Sequence, residues 1–188
     1  MENETSRQCV IPLHKPSRKE LIFFFASGLL VSIPFASFYE SLIPAGFSLA
    51  LLIVVLAPFI EELAKVFPLF YRHGETERSL VTLGLLIGLG FGVAEFFEYI
   101  FLANVPVIAA IPHIIFHGSS ATITAYGIAK KNPLPYYMIA VSLHIINNFF
   151  ALSSDVFFGV LAELLVLITV YLLAWRYFHK ASLEKMVV

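Results

Sequence analysis

The residues of this chain able to do chemistry are few, and they fall in groups. Glu61, Glu62 and Lys65 form the first group, Glu95 and Glu98 the second, His113 and His117 the third, and His144, Asn147 and Asn148 the fourth, while Glu163 stands alone. Carboxylates and imidazoles can activate water, and a carboxamide can hold a developing oxyanion, so the set has the equipment for hydrolysis without a covalent nucleophile. Glu61 and Lys65 are spaced i,i+4, which predicts that the ammonium holds Glu61. Glu62, turned away by about 100° on the same helix, is expected at a cavity rim or against a second partner. His113, His117, Ser120 and Thr124 fall on one line of a helix, as do His144 and Asn148. Five glutamates against one lysine imply shared protons, a water-filled cavity or a bound cation. Glu163 reads as a dimer contact, a portal residue or a cavity wall.

These groups sit in a chain with almost no water-soluble surface. Of 188 residues, 59% are hydrophobic and 13% charged, and the mean hydropathy is +0.86. Soluble domains carry about 25% charged residues, so the composition places the chain in a bilayer. A net charge of −1 gives no basic face for a nucleic-acid partner, and the single cysteine, Cys9, excludes an intrachain disulfide and a cysteine zinc cluster. Apolar runs at 21–39, 42–71, 80–102, 107–129, 136–152 and 156–178 predict an all-α polytopic membrane helix bundle of six transmembrane helices. A tail at 1–20 precedes one transmembrane domain at 21–178, and a second tail follows at 179–188. Lys and Arg lie in the N-terminal tail, in the loops at 72–79 and 130–135, and at the C-terminal end, whereas the alternate connections have none. The positive-inside rule then makes both termini cytoplasmic, with the plasma membrane as the expected location.

At a rise of 1.5 Å per residue, Glu61, Glu95, His117 and His144 lie roughly 15, 22, 18 and 12 Å from the cytoplasmic ends of their helices, close enough in level to meet. Gly84, Gly88 and Gly92 form a small-residue stripe that predicts close helix packing next to Glu95. The same residues exclude other chemistries. No G-x-S-G motif supplies a serine nucleophile, and Asp155 is the only aspartate, so a two-aspartate site is out. H-E-x-x-H is missing, although histidines and glutamates leave open a divalent metal at the cluster; no cofactor is otherwise expected. Two alternatives stand beside hydrolysis. One is a proton- or cation-coupled transporter or channel using the same carboxylates and histidines, and the other is a non-catalytic membrane scaffold. A channel calls for polar residues through the full depth, whereas here they concentrate at middle and cytoplasmic levels.

Glu61-Glu62-Leu63-Ala64-Lys65 resembles the EExxK motif of the PrsW-type membrane proteases. Gly90-Phe91-Gly92-Val93-Ala94-Glu95, followed by Tyr99, is similar to that family's third-helix motif, and His117 with His144-Ile145-Ile146-Asn147-Asn148 resembles its two histidine motifs. The resemblance spans about residues 55–150, and the group is distantly related to the CAAX prenyl endopeptidases and bacteriocin-immunity proteins. It implies an intramembrane protease whose partner is a membrane-tethered regulatory protein such as an anti-sigma factor. In that reading Glu61 or Glu62 is the general base, His117 and His144 share in proton transfer, Asn148 holds the oxyanion, Glu95 orients, and Lys65 holds the glutamate pair. Glu98 and the extra His113 depart from the pattern, and Asn147 is a supporting residue.

Overall fold

The computed structural model describes residues 14–44, 46, 48–72 and 75–187, so Arg7, Cys9 and most of the expected N-terminal tail lie outside the described residues. The rest forms six helices, and no strand occurs among the described residues. Helix α1 (Arg18–Ser41) begins with a capping box in which the Ser17 hydroxyl accepts from the Glu20 amide and the Glu20 carboxylate accepts from the Ser17 amide. Helix α2 covers 49–71 and is irregular: a π-helical turn at Leu52–Leu56 leads into Ala57–Val66, and a 3-10 turn at Phe67–Tyr71 closes it. Helix α3 (Glu77–Phe101) starts on a Thr76 cap, α4 (Val107–Ala129) follows Pro106, α5 (Pro133–Ala151) has proline in its first turn, and α6 (Val156–Lys180) starts on an Asp155 cap. Asn104 and Lys131 adopt left-handed backbone just after α3 and α4, which turns the chain back at those ends.

Four helices, α1, α3, α4 and α6, are long and apolar enough to cross a membrane. The other two each carry a polar group of three: α2, broken by its π and 3-10 turns, holds Glu61, Glu62 and Lys65, and α5 holds His144, Asn147 and Asn148. Helix α6 buries only Gly159, Ala162, Val166, Val170 and Ala174, a single stripe at spacings of three and four, and presents apolar side chains outward elsewhere. An apolar exterior of this extent belongs against lipid, so the chain is a membrane protein.

The core is built on α3 and α4. A Cβ at Gly84 would lie 2.3 Å from that of Ala125, and one at Gly88 would lie 2.3 Å from the His117 carbonyl oxygen, so glycine is what allows the two backbones to meet. Helix α1 crosses α3 as closely at Gly28 and Gly90. At one end of the bundle the chain ties itself together. His14 bridges to Glu75, and Thr76 to Met186, while Arg72 bonds Glu20 and Glu75. His14 and Met186, near the two ends of the described chain, therefore lie at the same end of the bundle. The expected C-terminal tail is not a free one: α6 runs to Lys180, Ala181 is buried, and 182–187 folds back onto Glu75–Glu77.

Candidate functional site

Four helices each bring one polar face to the middle of the bundle. On α2, Glu62 and Lys65 are fully buried and Lys65 Nζ donates to Glu62 Oε1 at 2.5 Å. An ammonium has three N–H donors, and here each has an acceptor: Glu62, His117 Nδ1 at 2.8 Å and Ser120 Oγ at 3.2 Å, the last two on α4. Because the ammonium only donates, His117 Nδ1 must accept, which leaves the ring proton on Nε2, and Nε2 is bonded to Glu95 Oε2 of α3. Helix α5 adds His144, whose Nδ1 donates to Glu62 Oε1 at 2.9 Å. Its Nε2 therefore carries the lone pair and stands 3.8 Å from Glu61 Oε2. The two histidines, with ring centroids 5.3 Å apart, are fixed in opposite tautomers by one Glu62–Lys65 pair. Phe116 packs its ring on both of them, and Phe91 packs on His117 and under the Lys65 ammonium, which shields the pair from water.

The expected pairing of Glu61 with Lys65 is corrected. Positions i,i+3 and i,i+4 both share a helix face, and His117 and Ser120 on α4 draw the ammonium to the Glu62 side. The two glutamates thus exchange places: Glu62 is the buried anchor, and Glu61 lines a polar cavity of about 130 Å³ together with Glu95, Glu98, Glu40, Ser37 and Tyr99. One oxygen of each glutamate, Glu61 Oε2 and Glu62 Oε2, is buried without a hydrogen-bond partner among the described residues.

Other expected residues fall at different distances from this centre. His117 is 1% exposed and inside the bonded cluster, whereas His113 is at its margin, 3.6 Å from Glu95 and packed at a tilt against Tyr99. Asn148 commits one of its two N–H donors to α2. Its Nδ2 donates at 3.0 Å to the Ile53 carbonyl oxygen, in the π-helical turn of α2, because that turn shifts the hydrogen-bond ladder and turns a carbonyl toward α5. Asn147 lies instead on a second, mostly apolar cavity with His113 and Glu163. Two residues were not legible as part of the site. Glu40 was assigned to a connection, yet α1 continues through it, and Ser37 and Glu40 at i,i+3 were the available signal. Tyr137 donates its hydroxyl to the Phe59 carbonyl oxygen at 2.7 Å, so α5 grips α2 on both sides of His144.

Glu61, His117 and His144, and likewise Glu95, His113 and His117, bring ligand atoms within 4.8 Å of one another. The donor set fits a metal poorly. His117 belongs to both groups, and with Nδ1 facing an ammonium its Nε2 holds a proton rather than a free lone pair. No protein-family model, curated protein or solved structure matches this chain.

Proposed function

We propose that this chain is an intramembrane protease of the PrsW type, hydrolysing a peptide bond of a membrane-tethered protein in the plasma membrane with water activated by glutamate and histidine. The observation that carries the reading is the pair Glu61 Oε2 and His144 Nε2, both acceptors, 3.8 Å apart, with Glu61 also lining the polar cavity. A gap of that size is too long for a direct bond. A water about 2.8 Å from each would close it with two ordinary hydrogen bonds and would be held by a carboxylate and an imidazole lone pair together.

In this mechanism Glu61 takes a proton from the water as its oxygen adds to the substrate carbonyl, and returns it to the amine that leaves. His144 orients the water, held in its tautomer by Glu62. His117 Nε2–H, aimed at Glu95, and the Tyr99 hydroxyl on the same cavity are the donors available to the tetrahedral oxyanion. Lys65 keeps Glu62 and His117 in register. An apolar plug favours a blind cavity over a conducting path: Leu69, Leu80, Leu83, Ile87 and Ala121 are buried in one cluster with Tyr126 and Ala181, on the side of the bundle where the termini emerge.

The test is cleavage of single-span membrane substrates by the purified chain in liposomes, comparing wild type with Glu61→Gln, His144→Ala and His117→Ala, with and without chelator. Cleavage lost in all three variants and indifferent to chelator is the expected result. Sensitivity to chelator would move these residues into a metal site, and variants that cut as well as wild type would end the proposal.

A further inference from the structure

The second cavity, of about 240 Å³, lies between α4, α5 and α6. It adjoins the centre through two shared residues: Phe116, which packs on His117 and His144, and His113, which approaches Glu95. Helices α4 and α6 pack tightly along Phe116, Ile123, Val166, Val170 and Ala174, and the cavity opens where that seam ends. Its outer wall faces lipid, since Ile108 is 79%, Val160 50% and Leu164 47% exposed. A membrane-spanning segment could therefore reach it sideways from the bilayer.

Most of the lining is apolar, and Glu163 is the exception that needs a reason. It is half-buried, it is the one charged residue of α6 before Arg176, and among the described residues it takes part in no hydrogen bond or ion pair. His113 on the same cavity forms no ion pair with it and approaches Glu95 instead, at 3.6 Å. An intramembrane carboxylate with no partner is costly and is retained where something charged or donating comes to it. An apolar-walled slot ending in a carboxylate, with the Asn147 carboxamide beside it, matches a long aliphatic stem that ends in a cation.

We propose that this cavity binds a lysine or arginine side chain of the membrane-spanning polypeptide on which the centre acts, with Glu163 as counter-ion. That the polypeptide is a substrate rests on the proteolytic reading, whereas the binding preference does not. The test uses donor-labelled single-span polyleucine peptides and the full chain with a C-terminal acceptor dye in phosphatidylcholine liposomes, which contain no primary amine. The peptides differ at one position, lysine, norleucine or glutamate, set roughly 10 Å below the bilayer face that meets the start of α6, the depth of Glu163 at 1.5 Å per residue.

Wild type should bind the lysine peptide about tenfold more tightly than the norleucine peptide. Glu163→Gln should bind the two alike, and Glu163→Lys should prefer the glutamate peptide. Equal affinities in wild type, or a lysine preference that survives in Glu163→Gln, would overturn the pocket. Peptide cleavage read in the same liposomes separates the two ideas. A Glu163-dependent preference without cleavage leaves the pocket standing and removes the protease, whereas cleavage and binding both indifferent to Glu163 remove the pocket alone.

Discussion

Two networks of buried carboxylates lie at different levels of this bundle, one at the end where the chain termini emerge and one at its middle, and they are compensated in opposite ways. At the end, each carboxylate meets a strong base: Arg72 serves Glu20 at 2.8 Å and Glu75, and Glu77 receives Lys130 at 2.6 Å and Lys185 at 3.5 Å. Burial works to lower the Arg72 pKa, but the hydrogen bonds to Glu75 and Glu20 outweigh it and the net shift is upward. The hydrogen bond to Glu77 raises that of Lys130. At the middle, one ammonium stands among Glu61, Glu62, Glu95, Glu98 and Glu40, and it is fully committed to Glu62, His117 and Ser120. A network with a cation for each anion holds loops in place. A network short of cations leaves carboxylates facing histidines and a cavity, which is the condition for moving protons.

The largest test of that difference is Lys65→Met. It strands Glu62 as a buried, unpaired charge, and breaking such a pair typically costs about 3–5 kcal/mol. The unfolding temperature in detergent should fall sharply, and the double variant Lys65→Met with Glu62→Gln should recover much of the loss because no charge is then left without its partner. A double variant no more stable than the single one would mean that the pair is not what holds the centre. Glu61→Gln sharpens the contrast from the other side. Glu61 has no cation to lose, so neutralising it should leave the unfolding temperature unchanged or raise it, while cleavage disappears.

Next in size is Gly88→Ala, where the new methyl would press on the His117 carbonyl oxygen. Overpacking of this kind costs about 1–3 kcal/mol, and α4 should move as a unit, carrying His117 away from Lys65. Loss of stability and of cleavage together, against no change for alanine at Gly46, where a Cβ meets nothing, would separate the site's packing from a general glycine effect.

Much of this was written plainly in the sequence. Long apolar runs give six helices because a bilayer accepts little else, and counting residues along them brought Glu61, Glu95, His117 and His144 to similar depths. What stayed hidden was phase. The choice of Glu62 over Glu61 by Lys65 depends on acceptors supplied by α4, and no pattern within α2 encodes it. The π-helical turns in α1 and α2 insert residues into the helical count, so partners on either side of them, such as Ile53 and Asn148, cannot be aligned by a period of 3.6. Glu40 was missed because hydropathy ended the first run two residues early, and the helix continues through it to Ser41.

At the clasp, Glu77→Gln should destabilise by about 1 kcal/mol, since its lysines stay partly in water. Cleavage should be unaffected. The raised Lys130 pKa puts its contribution at Glu77 fully in place below the ordinary lysine value near about 10.4, and that contribution is lost as pH rises through the higher folded value. The difference between wild type and Glu77→Gln should therefore stay constant from about pH 7 to pH 9 in thermal unfolding. A difference that shrinks within that range would mean that Lys130 is not its source.

The smallest effects distinguish holding α2 from touching the substrate. Tyr137 and Asn148 each donate one hydrogen bond to an α2 carbonyl, and such interhelical bonds in membranes are worth about 0.6 kcal/mol. Tyr137→Phe and Asn148→Ala should thus lower stability slightly and by similar amounts. An oxyanion donor behaves otherwise, because its loss lowers turnover by about 10² to 10³ with the fold intact. If Asn148→Ala cuts turnover that far while Tyr137→Phe does not, the carboxamide serves the oxyanion with the N–H that Ile53 leaves free. If the two variants lose turnover in step with their small loss of stability, Asn148 is a brace on α2, and the oxyanion donors are to be sought at His117 and Tyr99.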